Sequence, residues 1–421
     1  MNQSFTYKNL NFWLLFIILF SSSYVFFKTP FEFYFHYIFF IALTPVFILK
    51  YGIPKLIPKV LIIPLLVGLI HVTIGNNSGF TFVKIFGGLC LTILFFYHIL
   101  ISQSFDVKKL FYWYCKCCYL LSIIAVIQIF SFLIGFKLGY DFSWILNKWS
   151  VIYGGLIGIR VNSVLSEPSQ LGIVLSPALY VAISNLVSKS NIIINKLQSL
   201  IILMVVILTT STIGYLGILI SVILSLEVLR LRYIFIAITI SLIGYFLAYN
   251  YVSDFRSRVN SAKGLWVEED FHIDNTNNSS FVLYNNLHIA KENLMKFPLF
   301  GTGLGSHETA FKKFTLTKSL IQYDFEFNVK DGNSLFVRLC TETGLIGLIF
   351  ILIIIYNGFI YKSHIQYDTD YHMIISQAIF VFILLVLIRQ GNYMLNGLPF
   401  IFLIYHYNRI AYDEKIISLS E

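Results

Sequence analysis

The chain has 421 residues, of which 57% are hydrophobic and only 12% are charged, and its formal net charge is +9 at pH 7. A soluble protein carries about twice that charged fraction, so the composition excludes a soluble enzyme. The basic residues lie mostly in short segments between apolar runs and form no patch interleaved with aromatic residues, which excludes a nucleic-acid-binding protein. Apolar runs of about 18 residues or more are long enough to cross a bilayer as helices. The sequence therefore predicts an all-α polytopic integral membrane protein.

The apolar runs predict about twelve transmembrane helices. In chain order they cover residues 11–27, 31–49, 60–74, 81–102, 113–135, 168–186, 197–211, 213–229, 233–251, 344–361, 372–388 and 394–408. Only the short segment Ser-Thr-Ile-Gly at 211–214 lies between the seventh run and the eighth. Either a tight re-entry or one broken helix fits that pair.

Positive charge in the short loops sets the orientation of a membrane protein. Loops that carry lysine or arginine alternate with short loops that are poor in charge: Lys50, Lys108 and Arg230 fall on one side, whereas the loop at 75–79 carries no charge. With the N-terminus inside, this alternation places both termini in the cytoplasm.

Two predicted outward segments are longer than the others. One covers 136–167, within the membrane region 1–251, and the other is a large loop at 252–343, before the last three helices and a short tail at 344–421. Residues 281–297 of the large loop place apolar side chains at helical intervals. They predict an amphipathic helix that lies at the membrane interface or packs on the bundle. Residues 268–280 are expected to be mobile.

Cys115, Cys117 and Cys118 could form part of a thiolate metal site, but no histidine or second cysteine pair completes it, and the outward histidines and carboxylates lack the spacing of metal ligands. The sequence therefore predicts no metal and no other cofactor.

The most conspicuous motif is FPLFGTGLGSHETAF at 297–311, in which Gly301, Gly303 and Gly305 alternate with other residues. A phosphate-binding loop of a nucleotide site needs a preceding buried strand and a following helix of an α/β unit. Here an amphipathic helix precedes the glycines, and no lysine-serine or lysine-threonine pair follows. We therefore expect a mechanical role: Pro298 ends the helix, and the glycines permit a sharp turn with positive φ.

Two regions resemble a known family. The segment NLMKFPLFGTGLGSH at 293–307, followed by GNSLFVRLCTETGLIGLIFIL at 332–352, is similar to the late outward loop of the O-antigen polymerase and ligase superfamily. The segment RVNSVLSEPSQLG at 160–172 resembles the first large outward loop of that superfamily. The resemblance implies a GT-C-like membrane glycosyltransferase in the bacterial inner membrane. Its donor and acceptor would be oligosaccharides linked to undecaprenyl diphosphate, with membrane lipids and a chain-length regulator as further partners.

A lipid diphosphate leaving group calls for cationic bidentate donors, and arginine suits this best. Arg160, Arg338 and Arg389 lie at predicted outward span ends and are the candidates for binding diphosphate or glycan. Each has a structural alternative: Arg160 could snorkel to the interface, Arg338 could form an i,i+4 ion pair with Glu342, and Arg389 could simply end its helix.

Glu167 and His307 are the candidates for activating the acceptor hydroxyl. Glu167 precedes Pro168, so a first-turn acid that favours the helix dipole is the structural alternative. His307 follows the glycine turn, where a lone histidine is more often structural. Ligases of the superfamily are expected to carry a histidine where this chain has Asn333, which favours a polymerase and makes Asn333 a candidate for substrate binding. A ligase and a lipid-linked oligosaccharide flippase stay open as alternatives.

Overall fold

The computed structural model describes residues 12–29, 31–54, 56–188, 191–225, 253–267, 278–317, 328–361 and 368–420, together with isolated positions between 239 and 251. Helix dominates this part of the chain, and the strands form short two-stranded pairs. In chain order the elements are α1 (12–20), β1 (Val25–Phe27), β2 (Phe33–Tyr34), α2 (Phe35–Tyr51), α3 (Leu56–Thr73), α4 (Gly79–Ser102), α5 (Val107–Leu133), α6 (Lys137–Tyr140), β3 (Ile152–Tyr153), β4 (Ile159–Arg160), α7 (Pro168–Ser188), α8 (Lys196–Leu208), α9 (Thr212–Leu224), α10 (Ser253–Trp266), α11 (Asn278–Lys296), α12 (His307–Phe314), α13 (Leu335–Glu342), α14 (Gly344–Gly358), α15 (Asp368–Arg389) and α16 (Leu398–Ser420).

Within these residues, four helices are long and apolar enough to cross a membrane: α4, α5, α7 and residues Tyr371–Arg389 of α15. Shorter apolar helices cover most of α2, α3, α8, α9 and α14. The prediction of a helical membrane protein is therefore supported. The count of twelve spans is not confirmed, and the predicted span 233–251 lies largely outside the described residues.

The first two predicted spans differ from the structure. A run of apolar residues at 11–27 predicts one continuous helix, but α1 ends at residue 20 and Val25–Phe27 pairs with Phe33–Tyr34 as an antiparallel hairpin. The predicted span 31–49 correspondingly begins as a helix only at Phe35. The hydropathy of the phenylalanines in this region predicts a helix. In the structure, Phe27 and Phe33 instead stack across the hairpin, with their ring centroids 5.0 Å apart.

The last predicted span also differs. Residues 390–397 are not helical, and α16 continues from Leu398 to Ser420, through most of the segment predicted to be a tail. Gly397 has φ 71°, a backbone conformation that ends the preceding turn and that glycine adopts without strain.

Helices α8 and α9 form the tight re-entry that the sequence left open. The backbone N–H of Val161 donates to Leu208 at the end of α8, while Gly172, near the start of α7, packs on Gly214 near the start of α9. Helix α9 then returns alongside α7, with Gly217 facing Leu179. A Cβ atom on Gly172 would lie 3.1 Å from the Gly214 Cα atom, so this close helix approach depends on glycine.

Loops from distant parts of the chain meet at one end of the bundle, which we call the polar end. Ser22 bonds to Asn396, and the side chain of Asn77 donates to the backbone oxygen of Leu304. Lys148 forms an ion pair with Glu32. At the opposite end, which we call the distal end, other loops meet in the same way: His98 bonds to Gly52, Lys116 to Gln198 and Arg409 to Phe359.

The two ends lead to a topology prediction. Reporter fusions at residue 145, in the polar-end loop, and at residue 192, in the distal-end loop, should report opposite sides of the membrane, with 192 in the cytoplasm. Alkaline phosphatase and green fluorescent protein fusions measure this. The same side for both fusions would contradict the arrangement of the helices.

Candidate active site

The glycine turn at 301–305 is built as the sequence predicts. Gly301, Gly303 and Gly305 have φ values of 62°, 87° and 85°, a region that side chains other than glycine rarely adopt. Each glycine also touches backbone from another segment. A Cβ on Gly301 would lie 2.6 Å from the carbonyl carbon of Glu342, and one on Gly303 would lie 2.8 Å from the Cα of Gly68. The turn therefore needs glycine at these positions for two reasons: the positive φ and the close packing against other backbone segments.

The turn docks onto the junction between α13 and α14. The backbone N–H groups of Thr302 and Gly303 donate to the carbonyl oxygens of Thr341 and Glu342, at 3.0 and 2.9 Å. Further along, the N–H groups of Leu345 and Ile346 donate to Pro298 and Leu299. These bonds satisfy carbonyls at the end of α13 and N–H groups at the start of α14, which a helix cannot satisfy internally.

Beside this junction lies a buried ion pair. Arg338 Nε donates to Glu342 Oε1 at 2.8 Å, and Arg338 Nη1 donates to the backbone oxygen of Gly391 at 2.8 Å. The hydroxyl of Tyr393 donates to the other carboxylate oxygen of Glu342 at 2.9 Å, and its ring centroid lies 4.1 Å from Arg338 Cζ. The i,i+4 pair predicted as the structural alternative for Arg338 is therefore present, and Arg338 is only 2% exposed. The guanidinium joins α13 to the segment that follows α15.

His307 begins α12 and is fully buried. Its Nε2 atom lies 3.1 Å from Asn286 Oδ1, and its Nδ1 atom lies 3.1 Å from Thr341 Oγ1. The Asn286 amide nitrogen donates to Val282, which leaves the amide oxygen to accept the Nε2 proton of a neutral ring. Burial and the neighbouring Arg338 lower the pKa of His307 to about 3. The arrangement makes His307 a link between α11, α12 and α13, and it has no exposed ring atom.

Arg389 ends α15 as the sequence predicts, but its surroundings differ from those of Arg338. Within the described residues, no hydrogen bond or ion pair reaches its partly buried guanidinium, while Glu167 and Asp331 lie close enough to attract it electrostatically. Glu167 is exposed, stands directly before α7 and accepts a hydrogen bond from the Ser169 hydroxyl at 2.8 Å. Three predicted outward segments therefore contribute one charge each to a group that we call the charge cluster: Glu167, Asp331 and Arg389.

Asn333 lies in the turn that supports Asp331. Its φ is 53°, a left-handed conformation that asparagine tolerates better than most residues. The backbone N–H of Asn333 donates to Asp331 Oδ1 at 3.0 Å. Burial raises the pKa of Asp331, and Arg338 opposes that shift. The next residue, Ser334, caps α13 by accepting from the Val337 N–H. The Asn333 backbone thus helps to hold the Asp331 carboxylate at the entry to α13.

Arg160 lies in β4, next to the turn between α8 and α9. Its Nε atom lies 3.1 Å from Thr210 Oγ1 and 3.3 Å from the Thr209 carbonyl oxygen, and its side chain is partly buried. Thr210 has φ 44°, so this arginine stabilises a strained turn residue. Both hydrogen bonds tie β4 to the turn that joins α8 to α9.

The structure shows functional candidates that the sequence reasoning missed. Asp331, Gly391 and Tyr393 contact or attract the predicted arginines, but they come from loops whose pairing cannot be read from linear spacing. The one signal in the sequence was the run Asp-Gly-Asn at 331–333, a typical turn before a helix. Such a run indicates a turn without indicating which charges the turn approaches.

No group of three or more histidine, cysteine or acidic residues in the described part of the chain could hold a metal ion. The sequence matches no protein-family model, and no characterised protein is significantly similar to it. Fold and site together define a helical membrane protein with a buried ion pair and a charge cluster at one end of its bundle.

The close packing of the glycine turn leads to a stability prediction. Gly303→Ala should lower the melting temperature in detergent well beyond Gly75→Ala. Both residues have positive φ, which costs about 1–2 kcal/mol for a side chain, but a Cβ on Gly75 meets nothing within 4 Å. Equal effects would mean that the contact with Gly68 does not constrain the turn.

The buried pair leads to a second prediction. Arg338→Met should destabilise the protein by about 3–5 kcal/mol because Glu342 would stay buried without its counter-charge. The double variant Arg338→Met with Glu342→Leu should recover much of that loss. The i,i+4 pair Lys312–Glu308, 2.8 Å apart with an exposed lysine, is the control, and Lys312→Met should cost about 1 kcal/mol or less. Thermal unfolding in detergent measures each change, and additive effects at 338 and 342 would contradict a coupled pair.

His307 leads to a prediction about pH. Because its pKa is about 3 in the folded protein and about 6.5 when unfolded, protons bind the unfolded state more strongly between these values. Stability should therefore fall as pH drops from about 6.5 towards 3, by up to about 1.4 kcal/mol per pH unit from this residue. His307→Gln should remove that part of the slope between pH 7 and 5. An identical slope in the variant would contradict a neutral, buried His307.

Proposed function

We propose that the protein polymerises oligosaccharide repeat units linked to undecaprenyl diphosphate, at the periplasmic face of the bacterial inner membrane. The single observation that carries the proposal is the charge cluster. Arg389 has no hydrogen-bonded partner among the described residues, and the carboxylate of Glu167 attracts it electrostatically. The Arg389 guanidinium can hold a departing diphosphate, and the Glu167 carboxylate can accept a proton from an attacking hydroxyl.

The contacts between loops at the two ends of the bundle support a site on the outward side. The polar-end contacts described above join residues 22 to 396, 77 to 304, 32 to 148 and 338 to 391. The charge alternation predicts that these residues lie in outward loops or in the outward ends of spans. The distal-end contacts join segments that the same alternation assigns to the cytoplasm. This agreement supports cytoplasmic termini and an outward-facing cluster.

In the proposed reaction, a hydroxyl oxygen of one lipid-linked repeat unit attacks the anomeric carbon of the sugar on the other lipid. The bond between that carbon and the diphosphate oxygen breaks, and its electron pair leaves with the undecaprenyl diphosphate. The hydroxyl proton passes to the Glu167 carboxylate. Arg389 stabilises the negative charge that develops on the leaving diphosphate, an effect that is large in a poorly hydrated site.

The proposal divides the sequence candidates into two groups. Glu167 and Arg389 act on substrate, and Arg160, which is partly exposed near the end of the same outward segment as Glu167, binds glycan or diphosphate. Arg338, His307 and Asn333 act as positioning residues: their contacts fix the glycine turn, α13 and the loop that carries Asp331. Arg338 is too enclosed by Glu342, Gly391 and Tyr393 to act as the main diphosphate clamp.

The proposal predicts a mutational pattern. Arg389→Ala should reduce polymer formation by roughly 100-fold, since a charge-assisted contact contributes about 1.5–3 kcal/mol per hydrogen bond. Arg389→Lys should recover only part, because a point charge does not reproduce the bidentate fork. Arg409→Ala, at the distal end, is the matched control and should leave activity unchanged. Gel analysis of surface glycan, with immunoblots for protein level, measures all three.

A deletion strain separates the proposed activity from its alternatives. Loss of a polymerase should leave lipopolysaccharide with core plus a single repeat unit and no ladder. Polymer retained on the lipid carrier, with bare core, would indicate a ligase instead. If no repeat unit reached the outer face, a flippase would be favoured. Asn333, at the position where ligases of the superfamily are expected to carry histidine, favours the first outcome.

A further inference from the structure

A lysine lies inside one of the candidate membrane spans. Lys84 is in the second turn of α4, within the otherwise apolar stretch at 79–91, and its side chain is partly buried. Among the residues described, none forms a hydrogen bond or ion pair with its ammonium group. A cation at the edge of the hydrocarbon region is costly, and such residues commonly have a function.

The helical position of Lys84 directs it towards the proposed site. Thr81, Lys84 and Gly88 stand at i, i+3 and i+7, so they share one face of α4. The carbonyl oxygen of Thr81 lies 3.0 Å from the Cβ position of Gly305, in the glycine turn. A Cβ on Gly88 would lie 2.3 Å from the sulfur of Met394. The lysine therefore lies between the glycine turn and segment 390–397, the two segments that border Arg338.

Nearby carboxylates attract Lys84 but already have partners. Its electrostatic neighbours include Glu308 and Glu32. Glu308 pairs with Lys312 at 2.8 Å, and Glu32 pairs with Lys148 at 2.6 Å. Neither carboxylate is therefore reserved for Lys84.

Two cations also act on Lys84, and both repel it: the buried Arg338 and the exposed Lys330. Arg389 is a further cation of the polar end, and its guanidinium likewise has no hydrogen-bonded partner among the described residues. A dianionic ligand would relieve this repulsion and would gain from both cations.

We propose that Lys84 is a second diphosphate-binding residue, which holds one phosphate while Arg389 holds the other. The two side chains come from different helices, α4 and α15, so the ligand would bridge two parts of the bundle. An arginine fork and a lysine point charge together match two linked phosphates better than one phosphate. This assignment rests on the proposed function, because it takes the lipid diphosphate as the ligand.

The test is binding of undecaprenyl diphosphate to the purified full-length protein in phosphatidylcholine nanodiscs. Lys84→Met should raise the Kd roughly ten-fold or more, the loss expected for one charge-assisted contact, and Lys84→Arg should retain most of the affinity. The Kd for undecaprenyl monophosphate, whose single phosphate needs only one cation, should rise less. Lys312→Met removes the same charge from an exposed residue of the polar end and should not change the Kd.

A structural role for Lys84 predicts a different result. Removal of a partly buried charge without a partner should leave the melting temperature equal or higher. A lower melting temperature with an unchanged Kd would overturn the assignment. So would an equal loss of binding to phosphatidylglycerol nanodiscs or to inorganic pyrophosphate, since Lys84 would then contact any anionic headgroup or free phosphate. If the wild-type protein bound undecaprenyl diphosphate no better than the monophosphate, the proposed function itself would fail, and the role of Lys84 with it.

Discussion

The polar end depends on the contact between the glycine turn and the junction of α13 with α14. Gly301 and Gly344 both have positive φ, and a Cβ on Gly344 would lie 2.6 Å from the backbone nitrogen of Gly301. Two backbones approach so closely only where neither carries a side chain. The approach lets backbone N–H groups of each segment reach carbonyls of the other. In a poorly hydrated environment those groups must be satisfied within the protein, so the contact fixes both segments.

The position of Arg338 follows from that contact. Helix α13 is only eight residues long and holds both members of the Arg338–Glu342 pair one turn apart. Because the glycine turn binds the carbonyls of Thr341 and Glu342, the helix end cannot fray, and the carboxylate stays beside the guanidinium. Arg338 then ties the segment after α15 to the same structure through Gly391. Burial of this pair is a cost that a well-packed apolar pair would avoid; we infer that it is retained for the orientation it imposes on neighbouring charges.

Arginines at similar sequence positions thus have different environments. Arg338 is enclosed by a carboxylate, a carbonyl and an aromatic ring, whereas the guanidinium of Arg389 is attracted electrostatically by Glu167 and Asp331 but has no hydrogen-bonded partner in the described part of the chain. Sequence reasoning treated both as diphosphate ligands because each lies at an outward span end. The difference arises from which loops pack against them. A cation whose hydrogen-bonding capacity is already used inside the protein has little left for a substrate.

The sequence by itself determined the class of the protein, the helical character of the large loop at 281–297, the positive φ of the three glycines and the possibility of an Arg338–Glu342 pair. These features follow from composition, helical periodicity or the absence of a Cβ atom, which are local properties. Tertiary structure alone decided that Val25–Phe27 pairs with Phe33–Tyr34 and that α8 and α9 form a re-entrant pair. It also decided that His307 is enclosed by Asn286 and Thr341, that Asp331 attracts Arg389 and that Arg338 repels Lys84. The enclosure of His307 and the electrostatic interactions of Asp331 and Lys84 join segments that are not neighbours in the sequence. Hydropathy and spacing describe one segment at a time, so they cannot state which loops meet at the end of a bundle.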